Sequence, residues 1–375
     1  MNLQDISNVR LKTQRIDPRA GVAEAQDIVA WMGAIQAQDY AMACWAIGLR
    51  GQGLTERSIQ NAIDQGEILR THVLRPTWHF VAASDIWWML ELSAPQLVPQ
   101  MKSRLKQFGI ILEDYLRINQ VMEKAFLKAP HLDRAALLFA LKDAGICSDR
   151  EYLSHFLLWA EVAGIICSGA HQNNKATYAL LEERVPRPAP LKREEALAKL
   201  AHRYFTSHGP ATLLDFKWWS GLSLTDSKKG LEMIKSDFVV EEIGSGVYWI
   251  PESFCQESFY PESSGAKRLT RDYDQPAVYL LPAFDEFLIS YKDRTASFPL
   301  EHHAHAFTNN GIFYPVVLVN GQVKGVWKRT LKGSKFRFEA RFFSSVNPEV
   351  LELTEIAAVN FGIFLDKEIE VIKIG

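Results

Sequence analysis

Between residues 191 and 252 the spacing of apolar side chains switches from a helical period to a strand period. KREEALAKLAHRYFTSHG keeps its apolar residues on one helical face and stops at Gly209. Pro210 opens a short second helix, ATLLDFKWWSG, closed by Gly221, and Thr225 is a fitting N-cap for a third, DSKKGLEMIKSD. FVVEEIG and VYWIPE then alternate about Gly244-Ser245-Gly246, which predicts a β-hairpin. Three helices followed by a hairpin form a winged helix-turn-helix, which lays its last helix in a DNA groove and uses the hairpin as a wing.

The same order recurs twice upstream as pattern rather than as letters. In 132–182, LDRAALLFALKDAG and SDREYLSHFLLWAEVAG read as helices, the second with Ser148 as cap and Gly164 as stop. IICSG and ATYALLEE then flank the polar turn HQNNK. In 22–83, VAEAQDIVAWMGA and LTERSIQNAIDQG read as helices, and ILRTHVL and TWHFVA as a hairpin around Arg75-Pro76. VPRPAPLKRE (185–194) and ESFYPESSGAKRLTRDYDQPA (257–277) read as linkers. The tail differs in kind. VYLLPAF, GIFYPVVLV, GQVKGVW, KFRFEARFF and EIEVIKI are strand-like, with turns at Asn309-Asn310-Gly311 and Asn320-Gly321. One helix, NPEVLELTEIAAVNFGIFL, carries Asn347 as cap and Pro348 at its first position. The expected fold is α+β: three tandem winged helix-turn-helix units with a C-terminal β-barrel-like domain or curled sheet. The expected boundaries are 1–95, 96–184, 185–262 and 263–375.

Composition bounds this reading. The 375 residues are 47% hydrophobic and 23% charged, ordinary for a globular chain. Cys44, Cys147, Cys167 and Cys255 are scattered without a CxxC pair, which argues against a disulfide framework or a structural zinc and fits a reducing, cytoplasmic setting. MNLQDISNVRLKTQRIDPR holds no apolar signal core, and no apolar run has membrane-spanning length. The net charge of −2 argues against indiscriminate nucleic-acid coating but allows a basic face. Lys324–Arg341 supplies one: Lys324, Lys328, Arg329, Lys332, Lys335, Arg337 and Arg341 against the single acid Glu339. Such a run either discourages edge pairing of a hairpin or contacts phosphate.

No P-loop, dinucleotide glycine fingerprint, GxSxG elbow or HExxH helix occurs. Glu301-His302-His303-Ala304-His305 offers three imidazoles, but neighbours in a short loop seldom converge on one ion, so an exposed loop and no metal are expected. Three strings stand out. In Ala34-Ile35-Gln36-Ala37-Gln38-Asp39-Tyr40, an extended backbone would point Gln36 and Gln38 the same way, two amides able to hold one water; a polar helix C-terminus is the alternative. In LRPTWHF, strand alternation would put Arg75, Thr77 and His79 on one face, for phosphate contact, site support or simple exposure. In LLPAFDEFLISYKDR, Asp285, Glu286, Asp293 and Arg294 in an apolar run suggest buried ion pairs anchoring the tail.

Taken together and in this order, IQAQDY, LRPTWHF, LLPAFDEFLISYKDR and NGIFYPVVLVNGQVKGVWKR resemble the AlkZ/YcaQ-type DNA glycosylases, a winged-helix family that includes bacterial crosslink-unhooking enzymes. The resemblance runs from about residue 8 to the C-terminus. It implies three winged helices around a C-terminal β-barrel. It also implies a Gln-apolar-Gln motif, Gln36-Ala37-Gln38, that positions the attacking water; the adjoining Asp39, with Arg75, Thr77 and His79, is expected to support it. Pro76 departs from relatives that often have Gly before the Thr. The function so implied is hydrolysis of the N-glycosidic bond of N7- or N3-alkylated purines in duplex DNA, crosslinked bases included; a monomer with no metal or cofactor is expected. Lys324, Lys328, Arg329, Lys332 and Lys335 are the expected DNA contacts. Repeated winged helices suit a non-catalytic transcription regulator equally well, or a protein-interaction scaffold.

Overall fold

The computed structural model describes residues 1–16, 23–106, 111–146, 150–254, 276–308 and 311–375. Cys147, Ser148, Cys255, most of the 257–277 linker and the Asn309-Asn310 turn lie outside the described residues.

Helix α1 (Leu3–Thr13) is capped by Asn2. The next group comprises α2 (Ala25–Met32), β1 (Ile35–Gln36), α3 (Tyr40–Gly48), α4 (Glu56–Gln65), β2 (Ile68–His72) and β3 (Trp78–Ala82). Its strands form a sheet in the order β1-β3-β2. A mainly helical group follows: α5 (Ile86–Lys106), α6 (Leu112–Phe126), α7 (Arg134–Asp143), α8 (Arg150–Val162), the hairpin β4 (Ile166–Ser168) with β5 (Tyr178–Leu180), and the turn α9 (Leu181–Arg184). Helix α5 runs unbroken across the boundary expected at residues 95 and 96. Then come α10 (Arg193–His208), α11 (Leu213–Ser220), α12 (Leu224–Ile234) and the hairpin β6 (Phe238–Ile243) with β7 (Gly246–Pro251). The helix-helix-helix-hairpin order read at 191–252 is present, although Ser223 rather than Thr225 caps α12, its side chain accepting from the Asp226 N–H.

The tail holds β8 (Val278–Leu281), the helical turns α13 (Glu286–Ile289) and α14 (His303–Ala306), β9 (Val316–Val319), β10 (Gln322–Lys332), β11 (Lys335–Phe342), α15 (Pro348–Leu365) and β12 (Glu368–Ile374). Asn347 caps α15 with Pro348 at its start, as the sequence predicts. The described strands form one open sheet, β12-β11-β10-β9-β8, and not a closed barrel. The helix α15 supplies the crossover that makes β11 and β12 parallel, so β12 and β8 remain opposite edges.

Two of the hydrophobic cores join distant stretches of chain. One packs Ile28, Met32, Ile35, Trp45 and Phe80 against Trp327, Phe336, Phe338, Phe361 and Phe364 of the tail. The other joins Leu69, Val73 and Trp88 to Tyr204, Phe216 and Trp219. Where core meets tail, the fully buried Arg50 grips Asp285 through two nitrogens, each at 2.8 Å, and also donates to Ala46 O and Gln14 Oε1. The expected ionic anchor therefore exists, with Arg50 as the partner. Asp293 and Arg294, by contrast, form no such buried pair: Asp293 is exposed, its carboxylate accepting from the Thr295 N–H, and the half-buried Arg294 donates to Leu288 O.

Removing one partner strands a buried charge. Asp285→Asn is expected to lower unfolding free energy by ~3–5 kcal/mol, while the double change Arg50→Met with Asp285→Leu recovers most of it. Urea denaturation of the three proteins checks this.

Candidate active site

Strand β1 is only two residues long, yet it fixes the Gln-Ala-Gln segment. Ile35 pairs with Phe80 and Gln36 with His79, and the Ala37 N–H donates to Trp78 O at 2.7 Å. Ala37 is 0% exposed, whereas Gln36 is half-buried and Gln38 exposed. Alternation thus turns Ala37 into the core and Gln36 to the opposite face of the sheet, beside His79, while Gln38 beyond the strand is exposed. Ala37 packs with Ile35, Phe80 and Met42, so a small apolar residue suits this position. Asp39 is exposed and caps α3, its carboxylate accepting from the Met42 N–H at 3.2 Å.

Two side chains hold this backbone from either side. Glu286, 0% exposed, accepts from the Gln36 N–H at 2.7 Å and from the Ser290 hydroxyl. Burial raises its pKa above the usual carboxyl range, opposed by the Arg75 charge. Arg70 donates from Nε to Ala37 O at 3.0 Å and from Nη2 to Gln38 O at 3.5 Å, and it lies over the Trp78 ring at 4.4 Å. Trp78 in turn contacts the fully buried Glu161, which also hydrogen-bonds His72.

Arg75, Thr77 and His79 are close together but do not share a strand face, as alternation would have it. Strand β2 ends at His72, Leu74 takes a left-handed backbone (φ 60), and two tight turns follow, Arg75 N–H to Val73 O and Thr77 N–H to Arg75 O. Arg75 and Thr77 are half-buried turn residues; only His79 is on β3, at 0% exposure. Arg75 Nε and Nη2, Thr77 Oγ1, Thr71 Oγ1 and His79 Nε2 are buried atoms without a hydrogen-bond partner among the described residues. Burial, helped by the Arg75 charge, holds His79 well below the ordinary histidine pKa, so it is neutral.

This geometry sits within a chain whose residues 29–359 match the profile of the DNA glycosylase AlkZ-like family. The chain belongs to that family. It is 24% identical over 356 residues to an interstrand DNA cross-link repair glycosylase of Streptomyces sahachiroi, with 85% of each chain covered. The solved structure of the Streptomyces sahachiroi DNA glycosylase AlkZ matches with a TM-score of 0.77 at 18% identity, both chains covered in full, which shows a common fold.

The basic run of this AlkZ-like chain is the β10–β11 hairpin, partly neutralised by its neighbours. Lys328 pairs with Glu339 at 2.8 Å, Lys335 with Glu368 at 3.6 Å and Arg337 with Glu370 at 2.9 Å. Lys332 is exposed near the hairpin tip and Lys324 is half-buried. Arg329 is half-buried over Phe361 at 5.2 Å, with Nη1 unpartnered among the described residues. Glu56 and Asp39, the latter next to Gln38, lie near enough to act on its charge. The histidine run does not converge: His302 and His305 lie against Phe343, at 4.8 and 5.2 Å, while His303 Nε2 sits 3.0 Å from Phe298 O. Sequence reasoning missed Arg70 and the contact of Glu286 with Gln36. Each residue lies in or beside one of the three strings, but only the fold brings residue 286 to residue 36.

Because burial raises the folded pKa of Glu286, the native state holds this proton more tightly than the unfolded chain. Stability is therefore lost as pH rises from about 4.5, the ordinary glutamate value, through the folded pKa, at up to ~1.4 kcal/mol per pH unit. Glu286→Gln cannot ionise, so its stability relative to wild type is expected to improve from pH 4.5 to pH 8 in paired urea titrations. A constant difference counts against the raised pKa.

Proposed function

We propose that this AlkZ-like chain hydrolyses the N-glycosidic bond of N7- or N3-alkylated purines in duplex DNA, crosslinked bases among them. Gln36 and Gln38 position the water. The observation that carries this reading is a core-facing Ala37 between a half-buried Gln36 and an exposed Gln38, on a backbone clamped by Glu286 and Arg70. Among the described residues, no helix is long and apolar enough to cross a membrane. The helix-and-hairpin groups are read as winged helices that present this segment to the duplex.

An alkylated purine carries a positive charge, so the glycosidic electron pair leaves with the base and neutralises it. The sugar becomes oxocarbenium-like. A water held by the two amides forms the new O–C1′ bond, and its proton passes to solvent. No general acid is needed for such a leaving group, and a neutral amide suffices to place the nucleophile. The same weakness of a neutral amide as a base leaves undamaged purines intact. Gln38 and Asp39 are exposed, which suits a site that accepts a bulky adduct without enclosing it. Lys324, Lys328, Arg329, Lys332 and Lys335 are assigned to phosphate contact, Lys328 and Lys335 exchanging their surface acids for DNA.

Wild type is expected to release 7-methylguanine from alkylated duplex DNA, with EDTA present or absent. Gln36→Ala with Gln38→Ala is expected to lose ~10²-fold or more in single-turnover rate. Equal release by both proteins ends the assignment. Sequence-selective binding without release from any N3- or N7-alkylated duplex favours a regulator instead.

Replacing Lys328, Lys332 and Lys335 by Ala should flatten the dependence of log K on log salt by ~1 for each DNA phosphate left without its lysine. An unchanged slope removes this hairpin from the DNA interface.

A further inference from the structure

His79 faces Gln36 directly across the β1–β3 ladder and Thr71 directly across β2–β3, so the three side chains stand at one level on one face of the sheet. Directly opposed residues have Cβ atoms about 5 Å apart. His79 Nδ1 lies 2.9 Å from Thr77 O. A carbonyl only accepts, so Nδ1 carries the proton and Nε2 is a bare lone pair. That Nε2 is buried without a partner among the described residues. A buried acceptor left unpaired is costly, and two donors share its face. Neither the Thr71 hydroxyl nor the Gln36 amide bonds Nε2 in this structure, but Thr71 is β-branched, with a restricted χ1. The Gln36 carboxamide swings on further rotatable bonds and is only half-buried.

We infer that His79 is a positioning residue for Gln36: its Nε2 accepts a hydrogen bond from the Gln36 side-chain NH2 and thereby fixes which end of the amide meets the attacking water. This rests on the proposed glycosylase reading and assigns His79 a specific task within it. With NH2 turned inward, Oε1 faces outward and accepts a hydrogen from the water, leaving the water's lone pair aimed at C1′. The reversed amide would donate to that lone pair and occupy the electrons that must form the new bond. Selecting one amide orientation requires a partner that cannot donate, and a neutral imidazole with its proton committed to Thr77 O meets that condition. The neighbouring Arg75 charge and burial both keep Nε2 unprotonated. His79 takes and gives no proton in the reaction.

Two replacements separate this role from simple packing. In His79→Asn the amide nitrogen overlays Nδ1 and still donates to Thr77 O, but no acceptor remains at the Nε2 position. In His79→Gln a carbonyl oxygen reaches that position. Single-turnover release of 7-methylguanine is expected to fall ~10²-fold in His79→Asn, with DNA affinity unchanged, and to return to within ~10-fold of wild type in His79→Gln. A wild-type rate in His79→Asn, or equal losses in both variants, overturns the assignment. A second measurement needs no turnover. In protein labelled with ¹⁵N-glutamine, the side-chain NH2 signals of Gln36, identified by their loss in Gln36→Ala, should shift and lose exchange protection in His79→Asn. Signals unmoved by His79→Asn refute the pairing. Failure of wild type to release any base sinks the glycosylase reading, while the NMR comparison still decides whether His79 holds Gln36.

Discussion

Two adjacent acids near the start of the tail, Asp285 and Glu286, hold the molecule's working parts in register. Asp285 closes on the buried guanidinium of Arg50, and Glu286 accepts the backbone N–H of Gln36. Neither contact is an economical source of stability, because burying a carboxylate forfeits its hydration and the pairing returns little more than that loss. What the pair contributes is specificity. A buried acid whose partners lie on distant segments tolerates few docking geometries, whereas the Phe- and Trp-rich core around it could be repacked with small shifts. Among the described strands β1 pairs with β3 alone, and Glu286 and Arg70 hold the rest of the Gln-Ala-Gln backbone.

Much of this architecture is legible in the sequence wherever a local pattern suffices. The 191–252 segment announces its helices and hairpin by period and glycine stops, and α15 by Asn347-Pro348. Helix α3 gives no such signal: Met42 through Ile47 are buried all round, and a helix apolar on every side has no face to reveal it. Helix α5 conceals itself differently, carrying Pro95 and Pro99 in its interior, where proline normally ends a helix. The open sheet of the tail is less legible than its strands. Closure depends on how β8 and β12 are placed, and both the α15 crossover and the parallel β11–β12 pairing are tertiary facts.

The candidate site divides along the same line. Gln36 and Gln38 are visible because two like residues flank a small apolar one, although only the family resemblance gives that triplet a task. Strand alternation misplaces Arg75 and Thr77, because it fails where Leu74 turns left-handed and the chain doubles back. Arg70 lacks any mark in sequence because its importance lies in carbonyls more than thirty residues away. Glu286 is legible as a buried acid but not as the partner of Gln36, a contact spanning 250 positions.

The distribution of charge around the site follows one logic. On the proposed reading the groups that meet the substrate, Gln36 and Gln38, carry no charge, and the fully buried His79 opposite Gln36 is neutral, while Glu286 and Arg75 act on each other's charge. A full positive charge at the surface would oppose a cationic base and an oxocarbenium-like sugar alike. A strong base there would activate water against any sugar, damaged or not. Uncharged amides avoid both, and they leave the choice of substrate to the leaving group. On the proposed reading such a site need not enclose the lesion to recognise it: the alkyl group's effect on the glycosidic bond would do the selecting, and the protein would supply one water at one angle. On that reading the demand on precision falls on the orientation of a single carboxamide, which is why the buried His79 Nε2, without a partner among the described residues and directly across the ladder from Gln36, carries weight.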